Sequence, residues 1–247
     1  MDDPPESNLL LRGLPEATFR RIADQLRPVA LPHGHVIVPS GASVDRFHFI
    51  TSGLVSLLYE TGDGESAEIA IVGHEGGVGL SLVMGGRPFP AQAVVQMPGT
   101  AWTLAGTTLR REFELEPDVR RAFLLYTQAL MTQMAQTVVC NRHHSVELQL
   151  CRWILLSLDR LATHELLMTQ EMIAHMLGVR RAGVSEAVAR LQQAGLLEHR
   201  RGRISVSNRA ALEERSCECY AVIKDAYQAL ERDLADEEAA AQAQARR

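Results

Sequence analysis

The spacing of apolar positions changes twice along the chain. Leu14, Phe19, Ile22, Ala23 and Leu26 share one side of a short amphipathic helix predicted over residues 14–26. Between Val29 and Leu109 the texture becomes short β-prone runs at 35–38, 47–50, 54–59, 67–72 and 91–97, punctuated by glycines from Gly34 to Gly99. Regularly spaced short strands with glycine turns predict a roll or jelly-roll barrel. Beyond Phe113 glycine disappears until Gly178 and the spacing turns helical. Val119, Phe123, Tyr126, Leu130, Met134 and Val138 recur at intervals of three and four, beside Ala122, Ala129 and Thr137. This reads as a coiled-coil-like seam that wants a partner helix, or else a stripe packed on its own domain. A second helix is predicted over 146–161, with Leu148, Cys151, Trp153, Ile154, Leu155 and Leu158 in its core.

The segment 167–206 carries the most specific pattern. Thr169 suits an N-cap, and Glu171 and Met172 open a short helix that buries Met172, Ile173, Met176 and Leu177. Gly178 ends it where two crossing helices need a tight turn. A second helix over about 180–194 turns Val184, Ala187, Val188 and Leu191 inward and presents Arg180, Arg181, Ser185, Glu186 and Ala189. After Gly195, Leu196-Leu197 and the alternating Ile204-Ser205-Val206 predict two short strands joined at Arg201-Gly202-Arg203. Helix, glycine turn, arginine-headed helix and basic hairpin, in that order, make a winged helix-turn-helix. Arginines at the start of a helix in the major groove can pair with guanine O6 and N7, while wing arginines neutralise phosphates. Arg180 and Arg181 are therefore candidates for base or near-base contacts, Arg200, Arg201 and Arg203 for backbone contacts, with Thr169, Gln170, Ser185 and Glu186 completing the candidate interface.

Charge sharpens this reading. The formal net charge of the 247 residues is -5, which taken as an average argues against binding a polyanion. Residues 180–209, however, hold seven arginines against two glutamates, a local +5, so the rest carries -10. A segregated basic patch is the footprint that phosphate binding needs. No run of about 18 apolar residues could span a membrane, and the acidic start MDDPPESN does not read as a signal peptide; a cytoplasmic protein is expected. Cys140, Cys151, Cys217 and Cys219 do not form a secreted disulfide framework. Cys217 and Cys219, one residue apart, make an incomplete tetrahedral site, so reduced thiols, no metal and no cofactor are expected.

The motifs Gly34-His35-Val36-Ile37, Gly41, Phe47-His48-Phe49-Ile50-Thr51-Ser52-Gly53, Gly76-Gly77-Val78-Gly79-Leu80, Thr169-Gln170-Glu171-Met172-Ile173-Ala174 and Gly178-Val179-Arg180-Arg181, with the long helix, resemble the Crp/Fnr superfamily over about residues 14–206. The resemblance implies an α+β chain: a double-stranded β-helix (jelly-roll, cyclic-nucleotide-binding-like) domain at 1–112, a dimerisation helix at 113–145, a winged helix-turn-helix at 146–215 and a helical extension and tail at 216–247. It implies a homodimer on two-fold symmetric double-stranded DNA that regulates transcription, with RNA polymerase as a candidate partner and an unidentified small-molecule effector in the roll. Cyclic-AMP-binding members carry a glutamate in the glycine turn and a later arginine; here those places fall at Gly77 and near Phe89-Pro90. A buried phosphate without a donor is disfavoured, so cyclic-AMP control in that manner is not expected. Glu75 and Arg87 lie close enough that a shifted alignment restores the pair, which makes Glu75, Gly76, Gly77 and Arg87 the candidate effector residues. No cysteine precedes Cys140, so the N-terminal iron-sulfur cluster of some members is excluded.

Two other readings remain at this level. His33-Gly34-His35, with His48 and His74, suggests a cupin-like metalloenzyme, but Val36, Ile37, Val38 and Pro39 stand where a carboxylate ligand is wanted. A DNA-binding regulator whose roll takes no ligand is the other. No nucleophile, base and orienting residue in a recognisable arrangement, and no phosphate loop, suggests an enzyme.

Overall fold

The computed structural model describes residues 3–64, 66–161, 163 and 165–245, with side chains described through Asp236. A short helix α1 (Leu9–Arg12) precedes α2 (Glu16–Ala23), which forms within the span 14–26 where the apolar spacing predicts a helix. The chain then forms β1 (Arg27–Leu31), β2 (Val36–Val38), β3 (Arg46–Ile50), β4 (Leu54–Glu60), β5 (Ser66–Val72), β6 (Gly77–Val78), β7 (Gln92–Met97) and β8 (Gly99–Ala105). These make two antiparallel four-stranded sheets, ordered β1-β8-β3-β6 and β2-β7-β4-β5, the two walls of the roll. β1 and β8 escaped the sequence reading because proline, threonine and alanine dilute their alternation.

Next come α3 (Gly106–Leu115), α4 (Pro117–His143) and α5 (Val146–Arg160), then β9 (Glu165–Leu166), α6 (Gln170–Leu177), α7 (Arg181–Gln193), β10 (Leu197–Arg200), β11 (Arg203–Val206), α8 (Arg209–Arg215) and α9 (Glu218–Ala245). Pro117 opens α4, a position where its missing N–H costs nothing. Phe123 of α4 packs edge-on against the roll aromatics, its ring centroid 5.1 Å from Phe47 and 6.3 Å from Phe49. Tyr126 reaches deeper still: its hydroxyl accepts from the Gly77 amide at 3.1 Å and donates to the Gly77 carbonyl at 2.9 Å. A Cβ on Gly76 would lie 2.1 Å from that ring, so glycine is what lets α4 approach.

This overturns part of the expected seam. Val119, Phe123, Tyr126 and Leu130 are buried within their own chain, against the roll. The stripe left exposed on α4 is Leu124, Met131 and Val138, seven residues apart, with half-buried Thr127 and Met134 between them. Both stripes have helical spacing; the open side of the roll takes the aromatic one.

The C-terminal extension is also more than a tail. Tyr220, Ile223, Leu230 and Leu234 of α9 are buried, the first two in the core of the helix-turn-helix domain and the last two in the core of the roll. Arg12 of α1 pairs with Glu231 at 3.2 Å on its surface. α9 thus runs from the second domain back to the N terminus; residues 246 and 247 lie outside the described residues.

The two domains share a core and buried polar links. Leu54, Leu58, Ile71 and Met97 of the roll pack with Trp153, Ile173, Met176 and Val184. Glu68 of β5 accepts from Trp153 Nε1 at 2.9 Å and from the Ser56 hydroxyl. Burial, the largest influence, raises its pKa to about 7 against the partly offsetting hydrogen bonds. A carboxyl group whose pKa is raised on folding stabilises the fold below its unfolded value near 4.5, and that contribution is lost as pH rises through 7. Urea unfolding of wild type and Glu68→Gln should therefore diverge from pH 5 to pH 8, the variant becoming relatively more stable by up to about 3 kcal/mol. A pH-independent difference would contradict this assignment.

Candidate nucleic-acid interface and sensor cavity

The helix-turn-helix forms where the sequence places it. The Thr169 hydroxyl accepts from the Met172 amide at 3.2 Å and caps α6. Gly178 takes the left-handed conformation, φ 64°, that the turn requires. Ile173, Met176 and Leu177 then meet Val184, Val188 and Leu191 of α7 in a common core. Across the two helices the Ser185 hydroxyl donates to Gln170 Oε1 at 2.6 Å, so these two candidates brace the crossing.

Arg180 and Arg181 stand exposed at the start of α7, and neither makes an ion pair among the described residues. Glu186 instead accepts from Arg190 at 2.8 Å, and Arg190 bridges on to Glu147 of α5 at 2.8 Å. Its carboxylate is thus engaged along its own helix. In the wing, β10 and β11 pair antiparallel, and Ile204 and Ser205 pair onward with Leu166 and Glu165 of β9. Arg201 sits exposed at the hairpin tip with φ 50°, next to Gly202. Arg200 makes a 3.4 Å exposed contact with Glu198, which in water is worth little. Arg203 is held differently. Its guanidinium pairs with Glu165 at 2.5 Å, and Glu165 also accepts from Ser205, so Arg203 ties the tip end of β11 to β9. The sequence reading grouped all three wing arginines; the structure separates one brace from the tip.

The effector candidates divide as well. Between the roll and α4 lies a cavity of about 440 Å³ whose wall includes Val44, Leu57, Val78, Leu80, Phe89 and Met134, with Arg87 among its few polar residues. Gly77 lines it too, whereas Gly76 faces Tyr126. Glu75 does not join Arg87. It points the other way, into a buried ion pair with Arg160 of α5 at 2.6 Å, and also accepts from the Gly73 amide. Arg160 donates further to Gln133 Oε1 and the Leu156 carbonyl, both at 2.9 Å, and lies 4.7 Å from the Tyr227 ring centroid. The shifted alignment is thereby corrected: Glu75 links the two domains.

Sequence reasoning missed this link, although a glutamate in the glycine turn between β5 and β6 and an arginine ending the apolar helix α5 were its signals. The cupin reading finds no footing. His33 contacts the Gln96 carbonyl at 2.8 Å, His48 is half-buried with its pKa lowered to about 4 chiefly by desolvation, and among the described residues these histidines form no ligand cluster. Cys217 and Cys219 do have company, since the fold brings Cys140 and His144 to them.

A cyclic-nucleotide-type roll, a long helix across its open side and an arginine-headed winged helix-turn-helix define a DNA-binding transcription regulator. Comparisons agree. The cyclic nucleotide-binding domain family matches residues 28–115 and the Crp-like helix-turn-helix domain family residues 149–215. The chain is 22% identical over 216 residues to the CRP-like cAMP-activated global transcriptional regulator of Mycobacterium tuberculosis, covering 84% of this chain and 96% of that one. Among solved structures it is similar to a protein from Eubacterium rectale described as a transcriptional regulator of the Crp/Fnr family, with TM-score 0.67, 18% identity and coverage of 85% and 98% of the two chains. It is also similar to FixK2 from Bradyrhizobium japonicum, with TM-score 0.66, 16% identity and coverage of 78% and 98%. The chain belongs to the Crp/Fnr family of transcription regulators. No helix among the described residues is long and apolar enough to cross a membrane.

Proposed function

We propose that this chain acts as a homodimer on two-fold symmetric DNA, with the start of α7 in the major groove and the wing tip on the backbone, switched by an apolar effector in the roll. The observation that carries the DNA reading is the pair of exposed arginines, Arg180 and Arg181, heading a helix whose opposite face is fully occupied by the core. Parallel association along Leu124, Met131 and Val138 would set two such helices about one DNA turn apart, roughly 34 Å. The cavity supports an apolar ligand: among the described residues Arg87 is the one positive group that lines it, and no carboxylate does.

The route from cavity to DNA is short. Gly77 and Val78 form part of the cavity wall; Tyr126 ties Gly77 to α4, and Glu75, two residues earlier, ties the same loop to α5. A ligand that displaces this wall biases both the paired helices and the DNA-binding domain, and acts only through its different affinity for the two arrangements.

Selection from fragmented genomic DNA with purified protein, at near-physiological salt and without added effector, tests the reading. Enrichment of a two-fold symmetric sequence supports it. A protein that is monomeric, or that binds DNA without sequence preference even when apolar ligands are supplied, overturns it. On the selected site, Arg181→Ala should cost roughly 1–3 kcal/mol and relax the preference at one position per half-site, whereas Arg201→Ala should weaken all DNA alike and reduce the salt slope. Equal losses for Arg181→Ala on specific and random duplexes would remove it from base recognition.

A further inference from the structure

Two pairs of side chains far apart in sequence meet where α4, α5 and α9 come together. Cys140 lies in the last turn of α4, His144 follows it in the turn to α5, and Cys217 and Cys219 flank the start of α9. All three cysteines are buried, and the four ligand atoms lie within 4.8 Å of one another. Cys140 Sγ and Cys217 Sγ are 3.7 Å apart, and Cys219 Sγ and His144 Nδ1 are 3.6 Å apart. A tetrahedral ion with Zn–S near 2.3 Å and Zn–N near 2.05 Å has S···S edges of about 3.8 Å and S···N edges of about 3.6 Å. These two separations match edges of that tetrahedron, and the remaining ones lie within 4.8 Å.

The surroundings suit a metal rather than a set of inert thiols. With Nδ1 turned to the cluster, the other ring nitrogen of His144 lies 3.4 Å from Glu218 Oε1. A carboxylate behind a ligating histidine fixes its tautomer and orientation. Arg152 is buried beside the Cys140 thiol; one of its groups donates to Thr137 Oγ1 at 3.2 Å, while its Nε has no partner among the described residues. A divalent cation with three thiolates and an imidazole carries a net charge of -1, and this guanidinium is placed to balance it.

We propose that Cys140, His144, Cys217 and Cys219 form a tetrahedral site for a thiophilic divalent cation of the zinc class, which staples the start of α9 to the junction of α4 and α5. Binding forms three metal–sulfur bonds and one metal–nitrogen bond and releases thiol protons to solvent, with no change of oxidation state. The staple sits where the long helix hands over to the DNA-binding domain, so its loading fixes that junction.

The test uses the full chain, reduced and stripped with a chelator, then titrated with Co²⁺ alone and competed with Zn²⁺. One Co²⁺ per protomer is expected, with thiolate-to-metal charge transfer and tetrahedral d–d absorption that Zn²⁺ abolishes. Glu218→Gln, at a side chain 74% exposed, should weaken binding about 10–100-fold without disturbing the fold. Cys217→Ser should weaken it further, and Cys151→Ala should leave it unchanged, because that buried thiol lies outside the cluster. An octahedral spectrum, binding unaffected by Cys217→Ser, or a Cys140–Cys217 disulfide that replaces metal binding in freshly purified protein would overturn the assignment.

Discussion

Leu124→Glu should convert the protein to a monomer and abolish recognition of its symmetric site. In the isolated chain Leu124 is 57% exposed and outside the buried core, so the glutamate can remain in water within the protomer. In a parallel pair of α4 helices the substituted residues face each other across the two-fold axis, and two carboxylates in an apolar seam are strongly disfavoured. With one half-site reader instead of two, affinity should fall toward the non-specific level, a loss of about 10³-fold or more. Sedimentation equilibrium and DNA titration check both parts. A variant that remains dimeric would place the interface elsewhere, and one that is monomeric yet binds the site at full strength would separate pairing from recognition.

Glu75→Ala carries the largest expected effect on stability. The side chains of Glu75 and Arg160 are 9% and 4% exposed, so truncating the acid leaves a buried guanidinium with only neutral partners. Removing one member of a buried pair costs about 3–5 kcal/mol. Denaturant unfolding should show that loss, and Glu75→Leu combined with Arg160→Met should recover most of it, since replacing both charges is often near neutral. A cost below about 1 kcal/mol for Glu75→Ala would mean that water reaches the pair and that it does not bind the domains rigidly.

The second domain was legible because its signals are local. Thr169 caps, Gly178 turns and the apolar spacing of 184–191 each act within a few residues, and all three recur in the structure with the same roles. Most of the strands were legible through glycine punctuation. The extended partners of those strands, β1 and β8, were not, because their identity depends on the neighbours they pair with.

Within the candidate interface, exposure of Arg180 and Arg181 followed from helical phase alone. The division of the wing arginines did not: Arg203 is claimed by Glu165, 38 residues away, and no spacing rule couples the two. Glu75 and Arg87 look like a pair when only twelve positions apart are considered, yet Glu75 turns to Arg160, 85 residues later, since there its charge is neutralised out of water.

What the sequence by itself determined is therefore the kind of protein this is: a glycine-punctuated roll, a long helix and an arginine-headed reading module, each encoded by periodicity and short-range backbone chemistry. Only the tertiary structure decided which stripe of α4 is core and which is free, because two stripes of equal spacing compete and the shape of the roll selects the aromatic one. It alone turned the C-terminal extension into a brace across both domains, and it alone gathered Cys140, His144, Cys217 and Cys219. Residues 73 or more apart have no local reason to meet; they do so because burying α9 against α4 and α5 brings them together.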